Sequence, residues 1–154
     1  MDSKDLLQRR GVLFAIATGI AFLIYLRTLA PGVLDGDSGE FQFAAWGWTL
    51  AHPTGYPLYL LIGGLWQHLI PFGNPAFRLN LLSAVFAALT IGLSYRIFFR
   101  LTAHRGAALV AALALAVSPT FWSQATETEV YALNSLLVAA LTYLALKWEA
   151  RRDW

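Results

Sequence analysis

The chain has 154 residues, of which 58% are apolar and only 13% are charged. A water-soluble domain of this length could not bury so much apolar surface, so the composition predicts an all-α integral membrane protein. The net charge of +2 is too small, and the basic residues are too scattered, to indicate a nucleic-acid partner. Because the chain has no cysteine, disulfide bonds and thiolate chemistry are excluded.

The first ten residues are mostly polar and basic, and about twenty apolar residues follow them. That run is long enough to cross a bilayer, and no small-residue cleavage site precedes the turn at Pro31. We therefore expect an anchor rather than a cleaved signal peptide. Three later segments have a similar length and hydropathy. The four predicted membrane spans are residues 11–30, 79–99, 106–122 and 131–148.

Residues 57–72 form a fifth apolar segment, and no charge occurs between Glu40 and Arg78. Hydropathy alone would permit another crossing here. The strongest apolar run is short, however, and it is interrupted by Gly63 and Gly64 before polar side chains follow. This pattern favours a surface or re-entrant helix over a span.

The distribution of basic residues supports four spans, because Lys and Arg near span ends accumulate on the cytoplasmic side. With four spans and a cytoplasmic N-terminus, nine of the eleven basic residues lie inside, and only Arg27 and Arg78 lie outside. A fifth span would divide them four against seven. We therefore predict a cytoplasmic tail at residues 1–10, a cytoplasmic C-terminus, and a long outer loop at residues 31–78.

This outer loop is longer than a connection requires, and long ordered loops are usually functional. We predict two juxtamembrane helices in it, at residues 38–51 and 57–72. His52 and Pro53 lie between them and are not expected to be helical, since proline biases its predecessor toward an extended conformation.

Three acids, Asp35, Asp37 and Glu40, lie within six residues at the start of this loop. Asp37 and Glu40 have the spacing of a capping box, which would explain the pair without any chemistry. Asp35 has no capping role, and three neighbouring carboxylates repel one another, which indicates a functional site. Carboxylate oxygens also suit a divalent cation, although the spacing is not that of a dedicated metal cage. Metal binding therefore stays open.

The other candidate residues each allow a structural and a functional interpretation. His52 could hydrogen-bond a loop carbonyl or belong to the site. Arg78 could extend toward the headgroups or bind a lipid phosphate. Glu127 and Glu129 share the predicted outer face with the first acids, and they could also favour the N-terminus of the last span through the helix dipole.

Three sequence blocks carry a resemblance to a known family. They are DGDSGEFQFAAWGWTLAHPTGYPLY, AFRLNLLSAVFAALT and SPTFWSQATETEVYALNSLL. They resemble the protein O-mannosyltransferase-like family of the GT-C superfamily, whose members are glycosyltransferases that use polyprenyl-phosphate-linked sugars. The resemblance covers residues 30–146.

The resemblance implies a GT-C-like fold with the active site on the non-cytoplasmic face. It places the catalytic base on Asp37, with Asp35 as the substitute. The role of Glu40 stays open, because related families carry Glu directly after the acid, whereas Ser38 and Gly39 intervene here. The acid of the second outer loop falls on Glu127 or Glu129. The arginine near the second span falls on Arg78.

The predicted function is inverting transfer of a sugar, mannose by resemblance, from a polyprenyl-phosphate donor to a hydroxyl of a protein or glycan acceptor. Enzymes of this superfamily have more spans, so we expect the N-terminal part of a larger transferase, or a piece that needs a partner. The membrane would be the bacterial inner membrane, or the endoplasmic reticulum in a eukaryote. A transporter element and a non-catalytic assembly subunit are the alternatives.

Overall fold

The computed structural model describes the backbone of residues 3–150 and the side chains of residues 11–150. The described backbone forms seven α-helices and contains no β-strand, which confirms the all-α prediction. The helices are α1 Ser3–Thr28, α2 Asp37–Gly47, α3 Pro57–Leu69, α4 Pro75–Thr102, α5 Arg105–Ala116, α6 Pro119–Thr126 and α7 Val130–Glu149. Helix α1 therefore includes most of the predicted N-terminal tail.

Three of the described helices are long and apolar enough to cross a membrane. They are α1 over Gly11–Thr28, α4 over Pro75–Thr102 and α7 over Val130–Glu149. These helices match the first, second and fourth predicted spans. Helix α4 begins four residues before the predicted start because the Asn74 side chain accepts a hydrogen bond from the Phe77 amide at 2.8 Å, and Pro75 fits the first helical turn.

The third predicted span, residues 106–122, is wrong as a single helix. Helices α5 and α6 replace it, and they are bent by 63° relative to each other. The break lies before Pro119, which has no N–H to continue the helical ladder and holds Ser118 in an extended conformation. Twelve residues give α5 a length of about 18 Å, short of the roughly 30 Å hydrocarbon core. The described fold thus has three spans, or four if the bent pair crosses as one.

Helix α4 is the centre of the bundle and contacts each of the other six helices. In the stretch of α4 that is long and apolar enough to cross a membrane, 72% is buried, compared with 17% in the corresponding stretches of α1 and α7. Small residues permit the close crossings: a Cβ on Gly92 would collide with Thr18 and Phe14 of α1. Helix α5 buries Ala108, Ala112 and Ala116 completely, so small residues also form its packed face.

Helices α2 and α3 pack against each other beside one end of α4. Helix α2 ends at Gly47, four residues before the predicted end, because Trp48 adopts the left-handed conformation with φ 54°. Helix α3 starts at the predicted Pro57, and its thirteen residues are too few to cross a bilayer. His52 and Pro53 are not helical, as predicted.

The α2–α3 pair exposes a set of large apolar side chains. It consists of Phe43, Trp46, Trp48, Leu58, Leu61, Leu65 and Leu69. Trp46 also stacks on His68 with ring centroids 4.3 Å apart. An exposed apolar face of this kind suits a helix pair that lies against lipid. The placement of α2 and α3 along the bilayer surface nonetheless stays a prediction.

A buried polar network joins the ends of these helices. Gln42 of α2 donates to Asn80 Oδ1 at 2.9 Å, and the Thr128 hydroxyl, just before α7, donates to the same oxygen at 2.6 Å. Asn80 in turn donates to the Ala30 carbonyl oxygen at 2.9 Å. Asn80 and Thr128 have no exposed surface. The network therefore fixes three separate chain segments against α4.

Replacing Asn80 with alanine should lower the free energy of unfolding by about 1–3 kcal/mol, because buried hydrogen-bonding groups of Gln42, Thr128 and Ala30 would lose their partner. Denaturant titration of the purified protein in mixed micelles measures the change. The matched control is Asn134→Ala on the exposed surface of α7, which should cost less than about 0.5 kcal/mol. Equal losses for the two variants would contradict the role of the network.

Candidate active site

The segment before α7 reaches the N-terminal end of α2. The Ser38 hydroxyl donates to the Thr128 carbonyl oxygen at 2.7 Å and lies 3.3 Å from Glu129 Oε1. Nearby, the Ala30 amide donates to the Thr126 carbonyl oxygen at 3.0 Å. The two regions predicted as outer loops therefore meet at one end of the bundle. Their acids share one face of the protein, as the sequence predicts.

Two hydrogen bonds join Glu40 and His52 at this end of the bundle. One carboxylate oxygen of Glu40 accepts the His52 backbone N–H at 2.6 Å, and the other lies 2.8 Å from His52 Nδ1. Phe41 and Tyr56 flank the imidazole, with ring centroids 5.6 and 5.4 Å away. The interpretation that the His52 ring hydrogen-bonds a loop carbonyl is therefore wrong, because the ring bonds to a carboxylate. These two hydrogen bonds to Glu40 hold the connection between α2 and α3 in place.

The capping-box interpretation of Asp37 and Glu40 is also wrong. The N-cap of α2 is Gly36, which has φ 67° and no side chain to cap the helix, and Asp37 is the first helical residue. Glu40 cannot complete a capping box because its carboxylate is turned toward His52. Helix capping thus leaves these two acids unexplained.

The charges at this end of the bundle influence one another. The hydrogen bond between the two side chains lowers the pKa of Glu40 and raises the pKa of His52. Burial raises the pKa of Glu129, and the negative charges of Asp37 and Glu127 raise it further, while the hydrogen bond from Ser38 acts in the opposite direction. Glu129 is therefore a partly desolvated carboxyl group within electrostatic reach of Asp37. We call Asp37, Glu40, His52 and Glu129 the acid site.

Asp35 and Glu127 lie at the edge of this arrangement. Asp35 is exposed on the loop before α2, and it is not part of the group of possible ligand atoms formed by Asp37, Glu40 and His52. Glu127 is partly buried and acts on the acid site through its charge on Glu129. The structure therefore groups Asp37 and Glu40 with His52, and it places Glu129 within electrostatic reach of Asp37.

Arg78 lies in the first turn of α4, where its guanidinium holds the α3–α4 connection. It donates four hydrogen bonds of 2.7–3.1 Å to the carbonyl oxygens of Gln67, Phe72 and Gly73. These bonds use three of the five guanidinium N–H groups. The contacts give Arg78 a structural role, and two N–H groups remain for another acceptor.

Asp37, Glu40 and His52 offer one ligand atom each, all within 4.8 Å of one another. Two carboxylate oxygens and an imidazole nitrogen suit a divalent transition metal better than calcium. Asp35, which the sequence suggested as a third oxygen ligand, is replaced in this group by His52. A cation bound through His52 Nδ1 would compete with the Glu40–His52 hydrogen bond.

Sequence reasoning missed the polar residues beneath the acid site. Ser38 and Gln42 are buried on one side of α2, and they bond to the segment before α7 and to Asn80. Their spacing of four residues places them on the same helix face as the buried Phe41 and Ala45. The sequence signal that could have revealed Ser38 and Gln42 as buried is their position on a helix face that is otherwise apolar.

The chain matches the family described as the protein O-mannosyl-transferase TMEM260 N-terminal domain over residues 37–154. The chain belongs to this family. It is 36% identical over 126 residues to the protein O-mannosyl-transferase TMEM260 of Mus musculus, which covers 82% of this chain and 18% of that protein. It is 29% identical over 131 residues to the protein O-mannosyl-transferase tmem260 of Dictyostelium discoideum, covering 84% of this chain and 16% of that one. No solved structure matches.

Family membership confirms the resemblance that the three sequence blocks indicate. The matched region begins at Asp37 and includes every candidate site residue except Asp35. The chain spans less than a fifth of the length of these two relatives. It therefore corresponds to the N-terminal part of a protein O-mannosyl-transferase TMEM260-like sequence.

Replacing Glu40 with glutamine should lower the pKa of His52 toward its ordinary value of 6.5, because the neutral amide no longer stabilises the imidazolium. Histidine-labelled protein in micelles, titrated by NMR, gives this pKa directly. Asp35→Asn is the control, since it removes a nearby carboxylate that has no contact with His52. An unchanged His52 pKa in the Glu40 variant would contradict the pairing.

Proposed function

We propose that the chain is the N-terminal membrane module of a protein O-mannosyltransferase. It would take part in moving a mannosyl group from a polyprenyl-phosphate donor to a Ser or Thr hydroxyl of a protein, on the non-cytoplasmic face of the membrane. Family membership supports the proposal, because both relatives are named protein O-mannosyl-transferase. The rest of a larger transferase, or a partner chain, would complete the enzyme.

The observation that carries the proposal is the contact of Ser38 with Thr128 and Glu129. Because of this contact, the acids of two distant chain segments lie at the same end of the bundle, where a donor headgroup and an acceptor hydroxyl could meet. An assembly subunit would need the helices, but it would have no need for a partly buried carboxyl at Glu129 beside the charge of Asp37.

The proposed chemistry requires a base but no general acid. A phosphate linked to an isoprenoid is already a good leaving group. The acceptor oxygen attacks the anomeric carbon from the face opposite the phosphate, its proton passes to a carboxylate, and the configuration inverts. We assign the base to Asp37, whose exposed carboxylate stands at the start of α2. Holding donor and acceptor together would supply much of the remaining acceleration.

We assign the second acid to Glu129 rather than Glu127. Glu129 is within hydrogen-bonding distance of Ser38, and burial raises its pKa, so this carboxyl retains a proton more readily than an exposed one. It is suited to hydrogen-bonding the acceptor hydroxyl or a sugar hydroxyl beside Asp37. Glu40 and His52 would border the same site from the α2–α3 connection.

Arg78 stays the predicted ligand of the donor phosphate. Two guanidinium N–H groups remain beyond those that bind carbonyl oxygens, and charge-assisted bonds to phosphate are strong. Its carbonyl contacts would hold the side chain in place as negative charge grows on the departing group. The apolar face of α2 and α3 would lie beside the isoprenoid in the bilayer.

The orientation we propose has both termini in the cytoplasm. The acid site lies at the end of the bundle where α4 and α7 begin, whereas Arg96, Arg100 and Lys147 lie toward the ends of those helices. Basic residues near span ends favour the cytoplasmic side. The acid site would then face the periplasm of a bacterium or the lumen of the endoplasmic reticulum.

Replacing Asp37 with asparagine should reduce mannosyl transfer by about 10²–10⁴-fold, because the amide cannot accept the hydroxyl proton. The measurement uses membranes that contain the complete gene product. They are incubated with labelled polyprenyl-phosphate mannose, and labelled protein is then quantified. Asp35→Asn is the matched control and should keep transfer within about threefold of the wild-type rate. That change is much smaller than the loss of a general base would cause.

Full transfer by the Asp37 variant at equal expression would show that the base is assigned wrongly. A variant with alanine at Asp35, Asp37 and Glu40 separates the enzyme from the scaffold alternative. Lost transfer with an unchanged elution profile favours an enzyme, whereas unchanged transfer favours an assembly subunit.

A further inference from the structure

A cavity of about 320 Å³ lies between α1, α4 and α7, at the end of the bundle opposite the acid site. The helices contribute Gly11 of α1, Arg96 and Arg100 of α4, and Tyr143 and Lys147 of α7. The three charged groups in this lining are all positive. The cavity has the volume to accept a phosphate group together with part of a glycerol-sized headgroup.

The two arginines are held in place by aromatic rings. The guanidinium carbon of Arg96 lies 4.1 Å from the ring centroid of Phe14 and 5.8 Å from that of Tyr143. Arg100 lies 5.6 Å from the Tyr143 ring and donates a 3.2 Å hydrogen bond to the Leu146 carbonyl oxygen. Such contacts occupy the flat face of a guanidinium and leave N–H donors at its edge.

No described carboxylate neutralises these three cations. Within residues 11–150, the only ion pair joins His52 and Glu40, on the far side of the bundle. Like charges gathered in one cavity repel, and an anion would relieve that repulsion. A basic side chain that only extends to the headgroups would point away from the helices, whereas Arg96 lies against rings from α1 and α7.

We propose that this cavity binds a phosphate group, with the phosphodiester of an anionic membrane lipid as its source. Two guanidinium groups match the paired oxygens of a phosphate, and Lys147 adds a third positive charge. The cavity lies between membrane-length helices near their ends, where basic pockets receive lipid headgroups. Bound lipid would join α1, α4 and α7 at this end. The site is independent of the proposed transferase activity.

Native mass spectrometry of the purified chain in micelles containing equal amounts of phosphatidylglycerol and phosphatidylcholine tests the site. We expect one retained phosphatidylglycerol and little phosphatidylcholine. Replacing both Arg96 and Arg100 with glutamine should weaken phosphatidylglycerol retention by about tenfold or more, since charge-assisted hydrogen bonds are lost. Lys147→Gln, which disturbs no described ring contact, should weaken it by about threefold or more on the same reasoning.

Arg105→Gln is the matched control, because it removes one positive charge from the start of α5, outside this cavity. It should leave retention unchanged. Equal retention by the wild type and the double variant, with Lys147→Gln also unchanged, would overturn the proposal. An equal loss in the Arg105 variant would also overturn it, since general surface charge would then explain the binding. Displacement of the lipid by millimolar inorganic phosphate would support a site for the phosphate group, whereas binding of inorganic phosphate with no retained phosphatidylglycerol would overturn the lipid source.

Discussion

The contact between Ser38 and the Thr128–Glu129 segment, supported by the buried bonds of Gln42, Asn80 and Thr128, holds the acid site together. Neither apolar side chains nor lipid can satisfy these amide and hydroxyl groups, so leaving them unpaired would cost considerable free energy. Hydrophobic packing alone would let α2 slide against α4 and α7. The directional bonds instead select one arrangement, in which Ser38 and Thr128, ninety positions apart in the chain, become neighbours.

That arrangement gives the two ends of the bundle different chemistry. At one end, the negative charge of Asp37 acts on the partly buried carboxyl of Glu129 and raises its pKa, and Glu40 pairs with His52. At the other end, arginine and lysine side chains gather between aromatic rings with no described carboxylate beside them. This separation of charge follows from helix direction, because α4 and α7 begin at the acid end and finish at the basic one.

Long apolar runs made α1, α4 and α7 predictable, since crossing a bilayer requires about twenty such residues. The start of α3 was also predictable, because Pro57 suits a first helical turn. The break before Pro119 was missed because hydropathy counts apolar residues without regard to the backbone bond that proline removes. The predicted span, residues 106–122, began within one residue of α5, but it ended four residues before the end of α6 and missed the bend.

The acid site was predictable in its members but not in its connections. The acids stood out as charges in an apolar chain, and the distribution of basic residues put Asp37 and Glu129 on one face. Local spacing then suggested a capping box, whereas Glu40 bonds to His52, twelve residues away. Such a bond depends on how α2 turns back toward α3, and local sequence does not encode that path. Asn80 and Thr128 were missed for the same reason.

Chemical crosslinking in intact membranes tests the central claim most directly, and the absence of native cysteine makes every introduced pair unique. Cysteines at Ser38 and Glu129 should be joined efficiently by a short bis-methanethiosulfonate reagent, because the native side chains approach within 3.3 Å. Cysteines at Ser38 and Arg105 should not be joined. Failure of the first pair to crosslink, with both thiols reactive to a monofunctional reagent, would contradict the account.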